Sequence, residues 1–489
     1  MKKALAGVLI SALSAAVLEP DESWERRNRA ATALRNQARY EEAAAEYEAA
    51  MKEAQRSGDP RAVPTLINNL ASVRHQQGRF DAAEAGYRTA IEASRQTPGG
   101  DDELTASIEH NLAELLKSTG RYEEAEPMFA RVVAAKRRLH GDLHPGVGTS
   151  LVSLGDLYRQ QGRLEDAGRL VREGVAILEK SPGSSLANGV NMLGLIEQAL
   201  GRLERAGELY RKARRIWESA GGPLHPDVAV ALNNLGSLLR AQGRYREAVR
   251  MSRQAVAIWE KSLGPDDPKV AGALTNLADQ LSHLDRRDEA EQHAMRALAI
   301  VEKRLGARHP MMVAPAMQLA EIARRRHQIA EAERLYLRCL DLLESAPHEH
   351  VKLGSVMNGL GVIAFERGDL RLAEARFLTA WAKSEERLGS SHADLATPMV
   401  NLAAVYMAGQ RYQEAEPLLI RSLELRKQQL GETHPLVAVA MLHHAVLLRQ
   451  TSRAREAAKV ESRAKAILAG HGEENLLDHT VSVREVSAR

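Results

Sequence analysis

The sequence predicts an all-α fold, an α-solenoid of about eleven antiparallel helical hairpins, because three signals recur in phase along it. The first is a Leu-Ala or Leu-Gly pair at Leu70-Ala71, Leu112-Ala113, Leu154-Gly155, Leu193-Gly194, Leu235-Gly236, Leu277-Ala278, Leu319-Ala320, Leu360-Gly361 and Leu402-Ala403. Successive leucines are 42, 42, 39, 42, 42, 42, 41 and 42 residues apart. The second is an alanine thirteen residues after each leucine: Ala83, Ala125, Ala167, Ala206, Ala248, Ala290, Ala332, Ala373 and Ala415. Weaker copies flank the series, Ala30 with Ala43 before it and His444 with Ala457 after it. The third is punctuation: turns such as Gly78-Arg79-Phe80, Gly120-Arg121-Tyr122 and Gly243-Arg244-Tyr245, and His-Pro steps at 144–145, 225–226, 309–310 and 434–435.

The unit around Leu235 shows how each element follows. From Asp227 to Ala241, Leu232, Leu235, Gly236 and Leu239 fall at helical spacing on one face. Gly243 breaks that helix, and a second runs from about Arg246 to Leu263 with Ala248, Ala255, Val256 and Ile258 inward. Gly264 stops it, and Asp267-Pro268 supplies a cap followed by a first-turn proline for the next helix. Small residues after each leucine, and thirteen residues on, let the two helices of a hairpin approach closely. A bulky side chain there would cost about 1–3 kcal/mol through overpacking.

A stack of hairpins that touch only their neighbours needs no single central core, so residues 24–470 of the 489 form one architectural unit. Aromatics are 4% of the chain, so Ala, Leu, Val and Ile must build the interior. The formal charge of +3, from 67 basic and 64 acidic residues, gives no reason to expect nucleic acid. The one cysteine, Cys339, falls in a small-residue packing slot, which predicts a buried, inert thiol.

Residues 1–18 stand apart. Lys2-Lys3 precede an apolar run from Ala4 to Leu18, the layout of a secretory signal peptide with cleavage expected after Ser14 or Ala16. The run is too short to span a bilayer comfortably, so the mature chain is expected to have no stable membrane span. Removal of the leader would make the protein periplasmic or secreted; if the run instead packs on the first repeat, the chain is cytoplasmic. Residues 471–489 fall outside the repeat and form a polar tail that frays or caps the last hairpin.

With Asn before Leu-Gly, a Gly-Arg-Tyr turn and the alanine thirteen residues on, the unit resembles the tetratricopeptide repeat. Its 42-residue period and His-Pro connector resemble the kinesin light chain subclass, although the heptad coiled coil that would join a motor is absent. The resemblance implies a right-handed superhelix that binds an extended peptide or partner protein on a concave face made by the first helices.

If Leu minus 3, Leu and Leu plus 4 face the core, positions minus 5, minus 2, plus 2 and plus 5 form the adjacent stripe. These positions, with the residue just before Leu, line the inner surface that the resemblance implies. Asparagine is frequent there although it is a mediocre helix former: Asn68, Asn69, Asn111, Asn191, Asn233, Asn234, Asn276, Asn358 and Asn401. Its amide suits a peptide backbone equally with a bond to the neighbouring repeat, and both roles can hold in one repeat.

Plus 5 is often basic: Arg35, His75, Lys117, Arg159, Arg240, Arg324 and Arg449. Glu114, Asp156 and Glu321 sit three residues before Lys117, Arg159 and Arg324 and should neutralise them, whereas Ser237 leaves Arg240 without such a partner. Asn191, Asn233, Asn234, Ser237, Arg240 and Asn276 are therefore the expected, solvent-accessible peptide-binding patch. Val362, Phe365, Val400 and Met407 make the last groove segment apolar, either as core packing, which is the favoured reading, or as a pocket for an anchor side chain.

The chain has no phosphate loop ending in Gly-Lys-Ser or Gly-Lys-Thr, no His-Glu-x-x-His and no Gly-x-Ser-x-Gly. His348-Glu349-His350 is a weak metal candidate in a connector, and the His-Pro histidines are periodic, as helix-start residues would be. The expected function is therefore a non-enzymatic interaction scaffold, with no cofactor and no metal. The alternatives are a self-assembling structural solenoid, or an enzyme with an unrecognised cavity site.

Overall fold

The computed structural model describes residues 22–37, 39–97, 102–344, 352–470 and 481. The proposed leader, the His348-Glu349-His350 connector and all of the tail except Val481 lie outside the described residues. Among the described residues, 22 α-helices pair into eleven hairpins. The first four are α1 (Glu22–Asn36) with α2 (Tyr40–Ser57), α3 (Ala62–Gln76) with α4 (Phe80–Arg95), α5 (Asp102–Ser118) with α6 (Tyr122–His140), and α7 (Pro145–Gln160) with α8 (Leu164–Leu178). Next come α9 (Ser184–Ala199) with α10 (Leu203–Gly221), α11 (Pro226–Ala241) with α12 (Tyr245–Leu263), α13 (Pro268–His283) with α14 (Arg287–Leu305), and α15 (Val313–Arg325) with α16 (Ile329–Glu344). The last three are α17 (Leu353–Glu366) with α18 (Leu370–Leu388), α19 (Ala396–Ala408) with α20 (Tyr412–Leu430), and α21 (Pro435–Gln450) with α22 (Ala454–Gly470). The odd-numbered helices are the first helices of the repeats, and the stack is a right-handed α-solenoid.

Close approach within each hairpin rests on the small residue after Leu. A Cβ on Gly194 would lie 2.6 Å from Cε1 of Tyr210, and one on Gly361 would lie 2.6 Å from Cε1 of Phe377. Each ring comes from the second helix and is fully buried, so a large side chain fills the space a small one leaves. The alanines thirteen residues after Leu are fully buried in every hairpin from Ala43 to Ala457. Cys339 is buried too, with Sγ 3.6 Å from the Val313 carbonyl, and burial pushes its thiol up to about 12, which makes it inert as expected.

One detail of the expected core face is corrected. Leu238, not Leu239, is the buried residue on α11, and Val73, Leu115, Leu157 and Ile196 occupy the same plus-3 place. Each first helix is packed by its own second helix on one side and by the second helix of the preceding hairpin on the other. Its buried arc is therefore wider than a single amphipathic stripe and turns toward plus 3.

The punctuation serves three separate tasks. The glycine eight residues after Leu takes the left-handed conformation, as in Gly78 with φ 72°, and Asp285, His327, Gln410 and Ser452 adopt it in four further repeats. The arginine after it clasps two carboxylates: Arg121 lies 2.6 Å from Glu124 on its own helix and 2.5 Å from Glu84 on the preceding second helix. Arg411 and Arg453 repeat this clasp with Glu414 and Glu374, and with Glu456 and Glu416. The histidine before proline caps the next helix through Nδ1, which accepts from the backbone N–H two residues on at 3.1–3.3 Å in His144, His225, His309 and His434.

His434 also ties one superhelical turn to the next. Its Nδ1 is occupied as an acceptor, so Nε2 carries the proton and donates to the Ala241 carbonyl at 2.8 Å, across a sequence separation of 193 residues. His309 makes a similar approach to the Gly78 turn, where a Cβ would lie 2.8 Å from its Cδ2. The solenoid is therefore wound tightly enough for successive turns to touch.

Candidate functional site

The asparagines form rungs between successive first helices. In each rung the Asn just before Leu donates through Nδ2 to Oδ1 of the Asn at minus 2 in the preceding repeat. Asn111 donates to Asn68 at 2.9 Å, Asn234 to Asn191 at 2.8 Å, Asn276 to Asn233 at 2.9 Å and Asn401 to Asn358 at 2.8 Å, and Asn69 reaches back to Asn28 at 2.9 Å. A mid-helix Asn is thus retained because it pins the rotation of one hairpin against the next. Each rung uses one donor of the later amide and one lone pair of the earlier carbonyl, so each amide keeps polar capacity beyond the rung.

The expected contact residues come together, though less exposed than the sequence suggested. Asn191 is buried, Asn233, Asn234, Ser237 and Asn276 are half-buried, and only Arg240 is exposed. Two contiguous rungs join Asn191 on α9, Asn233 and Asn234 on α11, and Asn276 on α13.

The expectation that Arg240 lacks a carboxylate is corrected: its Nε lies 3.4 Å from Oδ2 of Asp279 on α13. A search for partners within one helix misses this pair because the acid comes from plus 2 of the next repeat. The same cross-repeat pairing joins Lys117 to Asp156 at 2.8 Å, in addition to the expected Lys117–Glu114, Arg159–Asp156 and Arg324–Glu321 pairs at 2.7 Å. Burial works to lower the Lys117 pKa, but the charges of Asp156 and Glu114 outweigh it and hold the ammonium above its ordinary value. The basic residues of the inner surface are thus internally compensated at these positions, and polar amides dominate its chemistry.

The final groove segment is different. Val362, Phe365, Val400 and Met407 are all buried and belong to one apolar cluster with Leu402, Ala404 and Val405. Val481, far beyond the last hairpin in sequence, belongs to that cluster and is fully buried. Its backbone N–H donates to Oδ1 of Asn401 at 2.7 Å, and its carbonyl lies 2.9 Å from Nε2 of His443. Asn401 and His443 occupy the same place, just before the register residue, on α19 and α21. Sequence reasoning did not find this contact, since the tail carries no periodic signal.

A second surface also escaped the sequence reading. Met295, Leu337, Leu378 and Ile420 sit eighteen residues after four successive register leucines, and each is exposed by 43–50% on the second helices. Arg88, Arg172, Arg211 and Arg253 hold that place in earlier repeats, so aligning the second helices in phase would have shown the switch. Among the described residues, no group of three or more His, Cys, Asp or Glu side chains is arranged to hold a metal ion, and no helix is long and apolar enough to cross a membrane.

Comparison with known proteins agrees with this architecture. The tetratricopeptide repeat family model matches residues 61–138, 104–180, 185–261, 234–303, 269–344, 311–385 and 394–469. Among solved structures, the kinesin light chain nearly identical TPR-like repeats of Podosopora anserina are 27% identical, covering 40% of this chain and 95% of that one, with a TM-score of 0.33. BtubC (BKLC) from P. vanneervenii is 22% identical over 50% of this chain and 94% of its own, with a TM-score of 0.36. A Rap protein complexed with Competence and Sporulation Factor is 15% identical, covers 76% of this chain and 99% of its own, and has a TM-score of 0.55. No curated protein matches the chain. A repeat of this length, hairpins packed through Leu-Gly and Ala, and a family model matched over most of the sequence place the chain in the tetratricopeptide repeat family.

Proposed function

We propose that this protein is a non-enzymatic scaffold that holds an extended peptide, or an extended segment of a partner protein, along the inner surface of its first helices. The observation that carries this reading is the pair of rungs Asn191–Asn234 and Asn233–Asn276. Each fixes the orientation of an amide whose remaining donor and acceptor groups are half-exposed. Packed helices lie about 8–10 Å apart, and an extended peptide rises about 3.3 Å per residue. Successive rungs therefore meet about every third peptide residue, and the ladder reads main chain while neighbouring side chains set selectivity. The Rap structure holds Competence and Sporulation Factor, which supports partner binding as a use of this fold. With the leader at residues 1–18 removed, the scaffold acts outside the cytoplasm, and the N-terminal sequence of the mature protein, starting at Ala15 or Val17, checks this.

The test is a peptide display selection on the full chain, followed by fluorescence anisotropy of the selected peptides against wild type and an Asn234→Ala, Asn276→Ala variant. Two lost amide bonds of about 1 kcal/mol each correspond to roughly ten- to thirty-fold weaker binding. Equal affinity for a variant that keeps its helicity would remove the ladder from the site and defeat the reading.

A further inference from the structure

We propose that Val481 occupies the C-terminal end of the groove as the anchor residue of an internal ligand, the C-terminal tail. That end is a second, apolar peptide site, and a partner peptide must displace the tail to use it. The proposal rests on the reading of the inner surface as a peptide site and names the chemistry of one part of it.

Three observations on one residue carry it. The Val481 N–H donates to Asn401 Oδ1 at 2.7 Å, its carbonyl lies 2.9 Å from His443 Nε2, and its side chain is fully buried in the cluster of Val362, Phe365 and Val400. Both main-chain polar groups of a single residue are held by side chains from two adjacent repeats. That is how a clamp recognises an extended backbone without regard to sequence, while the apolar cluster selects the side chain between the two bonds. Asn401 is already oriented by its rung to Asn358, so its Oδ1 is aimed before the tail arrives.

The clamp also differs from the central ladder in a way that defines the ligand. In the central repeats, plus 2 and plus 5 are Ser237 with Arg240 and Asp279 with Ser282, which are polar. Here they are Val362 with Phe365 and Ala404 with Met407. The ligand class of this end is therefore an extended peptide carrying a small branched aliphatic residue, Val or Ile, at the clamped position. The tail sequence Thr480-Val481-Ser482-Val483, alternating polar and apolar residues, has that form. A tether of this kind holds its ligand at about millimolar local concentration, so a tail whose own untethered dissociation constant is about 10 μM weakens any competing peptide by roughly 100-fold.

The experiment uses the full chain and a fluorescein-labelled synthetic peptide of residues 474–489. Wild type and a Val481→Asp variant are titrated with that peptide, and with a control peptide carrying the same Val481→Asp change. The tail peptide is expected to bind the variant chain at least ten-fold more tightly than wild type, and the control peptide should bind neither. Hydrogen exchange on wild type gives an independent readout, with the Val481 amide expected to be protected at least 100-fold over an unfolded chain. Equal binding to both chains, binding to neither, or an unprotected Val481 amide would overturn the proposal. The central ladder is scored separately by its own variant, so loss of the tail site leaves that reading standing. Failure of the ladder test with success here would confine peptide binding to the C-terminal end.

Discussion

Two glycine-to-alanine substitutions in first helices should shift stability in opposite directions. Gly272 on α13 is exposed, and a Cβ added there meets no atom within 4 Å. Gly272→Ala should therefore gain the ordinary helix-propensity difference of about 1 kcal/mol. Gly194 on α9 gains the same propensity, but its Cβ would lie 2.6 Å from Cε1 and 2.7 Å from Cδ1 of Tyr210. Relief requires the ring to move by roughly 1 Å to reach ordinary contact. Tyr210 is fully buried, and its hydroxyl donates to Gln198 at 2.8 Å. Overpacking costs about 1–3 kcal/mol, and weakening that hydrogen bond adds about 1 kcal/mol. The net prediction is destabilisation by about 1–3 kcal/mol for Gly194→Ala and stabilisation by about 1 kcal/mol for Gly272→Ala. Repeat arrays unfold in pieces, so the assay is urea titration by circular dichroism combined with local hydrogen exchange in α9, α10, α13 and α14. Stabilisation of α9 and α10 by Gly194→Ala would refute the close hairpin packing on which the groove geometry depends.

The Asn rungs predict energetic coupling: a double-mutant cycle with Asn191→Ala and Asn234→Ala should give a coupling energy of about 0.5–1.5 kcal/mol, because each single change takes the rung partner from the other amide, buried at Asn191 and half-buried at Asn234. Additivity within about 0.3 kcal/mol, measured by the same urea titrations, would count against the rung. Acid should weaken the fold. Burial pushes His309 down to about 4 and shifts His75, His110, His293 and His444 in the same direction. A depressed folded-state pKa means that the unfolded chain binds more protons, so this stability is complete above about pH 6.5 and declines as pH falls toward 4. The urea midpoint should drop between pH 7.5 and pH 5, and an unchanged midpoint would contradict the burial of these rings.

What was legible in the sequence was whatever repeats within a hairpin. Leu-Gly against Tyr210 or Phe377, the fully buried alanines and the left-handed turn glycines are local, and each is written about once per 42 residues. What escaped is decided between repeats. The asparagines were visible, but their bonding partners are set by how far one hairpin rotates on the next, and the Asn234–Asn191 rung fixes that rotation. Arg240 was misread for the same reason, since its carboxylate stands on the next first helix. The bond from His434 to Ala241 depends on the superhelical pitch, which accumulates over five hairpins and is carried by no single motif. Val481 belongs to no repeat, and only the fold brings it to Asn401 and His443.

The central claim is that the inner amide ladder holds peptide main chain. Its most direct test is a crystal structure of the full chain with a peptide selected on it. Main-chain N–H groups of the peptide should donate to Oδ1 of Asn234 and Asn276, about three peptide residues apart, with both Asn rungs intact. A peptide seated on the second helices, or one held at the ladder only through its side chains, would contradict it.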